Sequence, residues 1–148
     1  MRPLSKLPII RGRDKHGAGY YGASRGSRDH VGIDIVIASG DEVKAFQGGT
    51  VTKLGYPYAN GFGGANSGGF KYRYVEVHTD DKQFCRYFYV SPCVHIGQKI
   101  HAGEIIGISQ PIADRYPGMT PHCHFEVFGK DGSKRVYVDP VKWLSGDT

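Results

Sequence analysis

The segment Thr120-Pro-His-Cys-His-Phe-Glu-Val-Phe128 holds two histidines, His122 and His124, at a spacing of two. A second apolar segment far earlier in the chain, Asp29-His-Val-Gly-Ile-Asp-Ile-Val-Ile37, holds His30 and Asp34 at a spacing of four. Side chains of a β-strand alternate between its two faces, so each pair is predicted to lie on one side of its strand. The intervening residues are predicted to form the opposite, apolar faces: Val31, Ile33 and Ile35 in one strand, and Cys123, Phe125 and Val127 in the other.

The two pairs together indicate a metal site. A single histidine in a strand is more often a packed or exposed residue than a ligand, but four metal-capable side chains of matching parity favour a ligand set. Two imidazole nitrogens and one carboxylate can hold a catalytic zinc ion, which leaves a fourth position for water. One of the four residues then remains to act as a base. The helical H-E-x-x-H arrangement and the P-C-x-x-C element of nucleobase deaminases are both absent.

Composition favours one all-β domain. The chain has 148 residues, among them 22 Gly, 10 Tyr and 7 Phe but only 2 Met and 1 Trp. Glycine-punctuated segments rich in Val, Ile and aromatic residues are typical of β-proteins. The formal charge of +5 suits an anionic partner such as a bacterial cell wall. Lysines and arginines are scattered rather than clustered, so we predict no nucleic-acid partner.

The three cysteines do not predict a disulfide framework. They include no C-x-x-C pair. Cys123 is expected to be buried on the apolar face of its strand, pointing away from His122, which argues against a role as nucleophile. Cys85 and Cys93 could face each other or be free thiols.

The sequence shows neither a membrane span nor an export signal. No segment approaches the roughly 20 apolar residues that a spanning helix needs, and the N-terminal residues have no continuous apolar stretch with a cleavage site. A protein with these features that acts on the cell wall or in the periplasm would be phage-encoded, delivered as an effector, or secreted and trimmed.

The order of expected elements gives a domain map. Residues 1–27 are predicted to be an N-terminal extension or loop that packs on a domain formed by residues 28–148. Residues 11–29, which have no periodicity, are predicted to be a long ordered or semi-ordered loop. Within 94–108, glycines separate further short strands, and a Gly/Asn-rich loop at 55–70 is predicted to border a groove. A hairpin turn at 80–83 would place Tyr89 opposite Tyr74. The main predicted strands are 30–37, 42–46, 49–54, 72–78, 84–90 and 122–128, followed by a turn at 129–132, a short strand and a closing turn at 139–144.

Several segments in this order resemble the lysostaphin/LytM-type zinc peptidases. The resemblance covers about residues 28–144, and its joint H-x-x-x-D and H-x-H pattern is specific. The segments are His30-Val-Gly-Ile-Asp34, Val43-Lys-Ala45, Gly49-Thr-Val51, Gly97-Gln-Lys-Ile-His-Ala-Gly103, Ile106-Gly107, Pro121-His-Cys-His-Phe-Glu-Val127 and Val138-Asp-Pro140.

The resemblance implies a fold, an activity and a site. The fold would be a Gly-rich, barrel-like antiparallel β core with an open groove, and the activity would be endopeptidase cleavage of stems or cross-bridges in peptidoglycan by a monomer. One zinc ion would be held by His30, Asp34 and His124, with His122 as the base beside it. Zinc in such a set lowers the pKa of its bound water to roughly 7. Glu126, on the same strand face, is expected to orient a ligand or to lie at the surface.

One position departs from the family pattern. The family carries a second active-site histidine in a Tyr-x-His-Leu segment, whereas this chain reads Tyr87-Phe-Tyr-Val90 there. Tyr89 would therefore be the oxyanion donor, a role open to a hydroxyl that stays protonated at neutral pH. His78 is predicted to lie too far along its strand to replace the histidine.

The same departure gives a second resemblance, to leukocyte cell-derived chemotaxin, a zinc-binding signalling protein of this fold. It is carried by Asp14-Lys-His-Gly-Ala-Gly-Tyr20, Phe88-Tyr89 and Tyr116-Pro-Gly-Met119. It implies the alternative function, a catalytically silent zinc module that binds a protein or glycan partner. Arg86, Arg115 and Tyr116 could line a groove and meet peptide carboxylates, or could serve as ordinary surface residues.

Overall fold

The computed structural model describes residues 10–11, 19, 21–22, 24–25, 28–29, 31–57, 72–114 and 116–146. Two of the predicted site residues, His30 and Arg115, lie outside this part of the chain, as does most of the predicted loop at 55–70.

The described residues form twelve strands, one 3-10 helix and one α-helix. The first six strands are β1 (Ser24–Arg25), β2 (Arg28–Asp29), β3 (Ile33–Val36), β4 (Glu42–Lys44), β5 (Gly49–Gly55) and β6 (Tyr74–Thr79). The next four are β7 (Phe84–Phe88), β8 (Val90–Pro92), β9 (Lys99–Ile100) and β10 (Ile105–Ser109), and the 3-10 helix is Ile112–Asp114. The last elements are β11 (His122–Asp131), β12 (Lys134–Val138) and α1 (Pro140–Ser145).

One large antiparallel sheet dominates the fold. Its strands run in the order β12-β11-β7-β6-β5-β9, and β3 pairs with β11 as well. A three-stranded sheet of order β4-β10-β8 and the β1–β2 hairpin complete the described architecture. The predicted all-β, antiparallel class is therefore confirmed. The β1–β2 hairpin corrects the expectation that residues 11–29 are loop throughout.

The closing segment is a helix rather than the predicted turn. Asp139 caps the helix, because its carboxylate accepts a hydrogen bond from the backbone N–H of Val141. Pro140 supplies the fixed φ that suits a first helical turn, and Gly146 ends the helix at a φ of 85°. These caps stabilise a helix too short to be recognised from hydrophobic periodicity.

The hydrophobic core lies on one face of the large sheet. Cys123, Phe125 and Val127 of β11 are all buried, as the alternation in the sequence predicted. Full burial of such apolar side chains contributes roughly 1.5–3 kcal/mol each. The residues that share this core with them include Ile33, Val75, Val77, Cys85, Tyr87, Ile100, Ile106, Trp143 and Leu144.

Strand β3 is shorter than the predicted strand 30–37. It begins at Ile33, and Val31 is 38% exposed instead of facing the core. At Gly32 the chain approaches β11 so closely that a Cβ atom would lie 2.4 Å from the carbonyl oxygen of Phe125. Regular alternation therefore cannot be extended from Asp34 back to His30.

The β6–β7 hairpin has a register one residue away from the predicted one. Tyr74 pairs with Phe88, not with Tyr89, because the turn spans Thr79 to Gln83 and Lys82 adopts a φ of 68°. His78 pairs with Phe84 at the far end of the hairpin and stacks on its ring at 4.5 Å between centroids. The chain then breaks its strand geometry at Tyr89, whose φ is 67°.

The cysteines are all free thiols in very different surroundings. Cys85 and Cys123 are buried whereas Cys93 is exposed, so the possibility that Cys85 and Cys93 face each other is not realised. Burial raises the pKa of Cys85 to about 12, and burial raises the pKa of Cys123 well above its usual range. Neither buried thiol is an available nucleophile.

We predict that a thiol-alkylating reagent at neutral pH modifies Cys93 alone in the native protein. Exposure favours reaction at Cys93, whereas burial excludes the reagent from the other two thiols. Mass spectrometry of digested protein gives the modified positions, and denatured protein, which should react at all three cysteines, is the control. Rapid native labelling of Cys85 or Cys123 would contradict the described core.

Candidate active site

Pairing of β3 with β11 brings two of the predicted ligands together. His124 and Asp34 are direct cross-strand partners, and Nδ1 of His124 lies 2.9 Å from Oδ1 of Asp34. His122 lies two residues earlier on the same face of β11, with its Nε2 3.6 Å from Oδ2 of Asp34. The structure thus assembles three of the four residues of the predicted constellation. The fourth, His30, lies outside the described residues.

The second nitrogen of His124 is held by another carboxylate. Nε2 of His124 lies 2.9 Å from Oε1 of Glu126, which is only 6% exposed. Glu126 therefore orients the imidazole, one of the two roles expected for it, and does not lie at the surface. Burial by itself would lower the pKa of His124, but hydrogen bonds to Asp34 and Glu126 raise it to about 9.

His122 has the opposite electrostatic character. Its Nδ1 lies 2.8 Å from the backbone carbonyl oxygen of Thr120, an acceptor, so Nδ1 carries the proton. In the neutral ring Nε2 then bears the lone pair on the side of Asp34. Burial lowers the pKa of His122 below its ordinary value, although Asp34 acts in the other direction. A neutral imidazole with a defined tautomer is the form that a general base needs.

Tyr89 lies beside His122, as a role at the same site requires. The two rings meet edge to face at 5.5 Å between centroids, and the Tyr72 ring packs edge to face on Tyr89 at 6.1 Å. The backbone N–H of Tyr89 donates to the carbonyl of Arg73, and its carbonyl accepts from Gln110. A non-glycine residue at positive φ is strained, and such strain recurs at functional sites when the surroundings hold it in place.

Arg11 is a site residue that sequence reasoning missed. Its Nε and Nη2 lie 3.0 and 2.9 Å from Oδ2 of Asp34, and the arginine is 1% exposed. No periodic pattern marked this position, because Arg11 lies in the predicted N-terminal extension, far from Asp34 in the chain. An isolated buried arginine can be assigned to a carboxylate only when the fold is known.

Gly32 is a second residue whose role emerges only from the fold. A Cβ atom there would lie 2.9 Å from both Cε1 and Nε2 of His124. Glycine at this position lets the segment before β3 pass directly beside the imidazole. Gly32 lies inside the His30-Val-Gly-Ile-Asp34 motif, but its structural role depends on the contact with His124 in the neighbouring strand.

The expected groove residue Arg86 belongs instead to a buried ion pair. Its Nε lies 2.8 Å from Oε1 of Glu76, whose other oxygen accepts a hydrogen bond from Thr52 at 2.9 Å. The guanidinium also lies over the rings of Tyr74 and Phe128, at 4.6 and 5.5 Å from their centroids. Arg86 is thus engaged in the sheet, and neither the groove role nor an ordinary surface role describes it.

The residues present suit a zinc ion. Among residues 31–57, 72–114 and 116–146, together with the few described residues before them, no three His, Cys, Asp or Glu side chains are already grouped as a metal site. Two potential ligand atoms nevertheless face each other, Nδ1 of His124 and Oδ1 of Asp34, and each is of a type that zinc accepts. His30 is the third ligand that the sequence predicts.

Comparison with known proteins agrees with this chemistry. Residues 28–140 match peptidase family M23. Mouse leukocyte cell-derived chemotaxin-2 is 32% identical over 118 residues, which cover 79% of this chain and 72% of that protein. The glycyl-glycine endopeptidase ALE-1 of Staphylococcus capitis is 27% identical over 130 residues, covering 87% of this chain and 33% of that protein.

A solved structure shows the same fold. The catalytic domain of the antimicrobial peptidase lysostaphin from Staphylococcus simulans superposes with a TM-score of 0.62. The match covers 88% of this chain and 90% of that domain at 24% identity. The predicted fold class is therefore confirmed at the level of the family as well as of the sheet.

We predict that the two site histidines of the metal-free protein titrate far apart. His124 should titrate near pH 9, because hydrogen bonds to two carboxylates outweigh burial and raise its pKa. His122 should titrate below its ordinary pKa, because burial lowers it. Glu126→Gln should lower the pKa of His124, since a charged acceptor is replaced by a neutral one. NMR titration of the imidazole resonances measures both values.

The control for this titration is Glu104→Gln, in the turn before β10, where the carboxylate accepts from the backbone of His101. It should leave both site histidines unchanged. A pKa of His124 that stays the same in Glu126→Gln would contradict the described contact.

Proposed function

Because the chain belongs to peptidase family M23, we propose that it is a zinc-dependent endopeptidase that cleaves peptide stems or cross-links of bacterial peptidoglycan. The observation that carries the proposal is the convergence of Asp34, His122 and His124, which the pairing of β3 with β11 brings to one place. The names of relatives such as lysostaphin and the glycyl-glycine endopeptidase support a peptidase acting at the bacterial cell wall. The same proposal places the action of this protein at the cell wall.

The proposed ligands of the zinc ion are His30, Asp34 and His124. When bound, zinc supplies Lewis-acid polarisation of the scissile carbonyl and activation of a water molecule. Glu126 fixes the ring of His124 from behind, so the orientation of this ligand does not depend on the metal alone. Nδ1 of His124, which faces Asp34, would lose its proton when the metal binds, while Nε2 would keep its proton toward Glu126.

His122 is the proposed general base. The carbonyl of Thr120 holds its Nδ1 proton, so Nε2 can accept a proton from the attacking water. Because burial lowers the pKa of His122, the base is neutral at neutral pH before it accepts the proton of the water, and it can then donate that proton to the departing amine. The nearby carboxylate of Asp34 stabilises the imidazolium that exists between these two transfers.

Tyr89 is the proposed donor to the developing oxyanion. Its ring packs against both His122 and Tyr72, which fixes the side chain beside the base. A phenol with an ordinary pKa near 10 keeps its proton at neutral pH and can donate it in a hydrogen bond. The role follows from position and chemistry, since the family pattern has histidine there.

A specific observation favours a second candidate, a catalytically silent zinc module that binds a protein or glycan partner. Tyr89 replaces the expected histidine, and the chemotaxin relative is more similar in sequence than the endopeptidase relatives that the comparison gave. Under this alternative the metal would serve structure and binding, and His122 would have no proton to transfer.

We predict that purified protein contains one zinc ion per chain and releases muropeptides from cell-wall sacculi, and that His122→Ala abolishes the release while zinc is retained. His122 is the proposed general base, so its loss should stop the reaction, and it is not a proposed zinc ligand, so zinc should stay bound. Mass analysis of the released fragments identifies the bond that is cut, and metal analysis gives the zinc content.

Sacculi with several cross-link types provide the control for substrate choice. Zinc-loaded protein that cleaves none of them would refute the enzyme and favour the binding module. Protein that neither cleaves nor binds zinc would contradict both candidates.

Substitution of Tyr89 separates the two candidates further. We predict that Tyr89→Phe lowers turnover by about 100- to 1,000-fold, the usual cost of removing one oxyanion donor. Tyr89→His should retain activity, since histidine tolerates positive φ better than most residues and restores the family pattern. Turnover on a released muropeptide substrate is the measurement, and unchanged turnover in Tyr89→Phe would exclude Tyr89 as the donor.

A further inference from the structure

Two residues near the N-terminus, Arg11 and Gly19, are hydrogen-bonded to the backbone of Asp34, and Arg11 also contacts its carboxylate. The backbone N–H of Arg11 donates to the carbonyl of Asp34 at 2.7 Å, and the N–H of Asp34 donates to the carbonyl of Gly19 at 2.7 Å. Gly19 in turn donates to the carbonyl of Arg11 at 3.0 Å, and Ile10 forms a bridge with Ile35. The edge of β3 that faces away from β11 is therefore contacted by Ile10, Arg11 and Gly19.

The close fit at Gly19 shows that this cover is tightly packed. A Cβ atom on Gly19 would lie 2.7 Å from Cβ of Arg11 and 2.8 Å from Cβ of Asp34. Real side chains do not approach so closely, so glycine is what allows the segment to lie against the site. Ile10, Arg11 and Gly19 all precede residue 28, where the match to the peptidase family begins.

We infer that Arg11 is a positioning residue of the metal site, which holds Oδ2 of Asp34 so that Oδ1 is presented toward His124 and the metal. Both of the guanidinium nitrogens bonded to Asp34 contact Oδ2, whereas Oδ1 faces Nδ1 of His124. The two oxygens thus have separate roles. The functional unit then begins at about residue 10 and includes part of the predicted extension.

Charge and burial support this role for arginine. A guanidinium remains charged at all ordinary pH values, so Asp34 keeps a cationic partner whether or not a metal is present. An ionised carboxylate is the form that binds a metal ion. Residues that orient a metal ligand in this way typically contribute 10- to 100-fold to metal affinity.

The test is the zinc affinity of the full-length chain, measured by competition with a chromophoric chelator. Arg11→Met, which keeps an unbranched apolar stem, should weaken zinc binding by about 10- to 100-fold. Arg11→Lys should fall between wild type and Arg11→Met, because it keeps the charge but lacks the paired donors. The absorption spectrum of the cobalt-loaded protein should also change in Arg11→Met, since the orientation of Asp34 changes.

A core truncation separates positioning from general stability. Ile106 lies in β10 and is fully buried, so Ile106→Ala should lower the melting temperature by leaving a cavity in the core. It should leave the zinc affinity and the cobalt spectrum unchanged. If it weakens zinc binding as much as Arg11→Met does, or if Arg11→Met binds zinc as tightly as wild type, the inference is overturned.

The test remains decisive if a variant fails to fold or if the wild-type protein binds no zinc. If Arg11→Met does not fold, Arg11→Lys decides, and an affinity equal to that of wild type overturns the inference. The inference rests on the proposed zinc site, so wild-type protein that binds no zinc refutes the proposed function itself. If wild-type protein binds zinc and substitution of Arg11 leaves that affinity unchanged, only the role of Arg11 is refuted.

Discussion

The register between β3 and β11 is the constraint on which the candidate site depends. It places Asp34 directly opposite His124, and β7 fixes the other side of the same strand by pairing Phe88 with His124. A slip of one residue would turn every side chain of β11 to the opposite face. Phe125 and Val127 would then leave the core, so the energy that holds the hydrophobic face in place also holds the imidazoles on theirs.

Burial of charge is the second condition, and each buried carboxylate in the described part of the chain has a partner. Asp34 contacts Arg11, Glu126 contacts His124, and Glu76 contacts Arg86. Removal of one member of such a pair costs about 3–5 kcal/mol because an uncompensated charge stays behind. The two histidines differ in their partners: both ring nitrogens of His124 lie 2.9 Å from carboxylate oxygens, whereas His122 is hydrogen-bonded to the backbone carbonyl of Thr120 and lies 3.6 Å from Asp34. A ligand and a base can therefore be neighbours on one strand.

Sequence reasoning identified the parts that follow from local pattern. The alternation around Cys123 and Phe125 predicted which face of β11 is buried, and the all-β class followed from composition. It was wrong about Val31 and the hairpin register, because Gly32 and the left-handed Lys82 alter regular geometry in ways that alternation does not encode. It missed Arg11 because that contact joins distant segments. The assignment of His30 as a ligand stays a prediction.

Within the part of the chain that the structure describes, no helix is long and apolar enough to cross a membrane. The fold is shared with the catalytic domain of lysostaphin, and the sequence is similar to leukocyte cell-derived chemotaxin-2, so the fold by itself does not decide the function. Tyr89 is the position at which the chain departs from the peptidase pattern, and its positive φ shows that the surroundings hold it in a strained conformation.

The central claim is that β3 and β11 form a zinc site, and anomalous diffraction at the zinc absorption edge tests it most directly. Crystals of zinc-loaded protein should show one strong anomalous peak within bonding distance of Nδ1 of His124 and Oδ1 of Asp34, with His30 as a further ligand of the ion. A zinc-loaded crystal with no peak between these residues, or with its peak elsewhere in the molecule, would contradict the account.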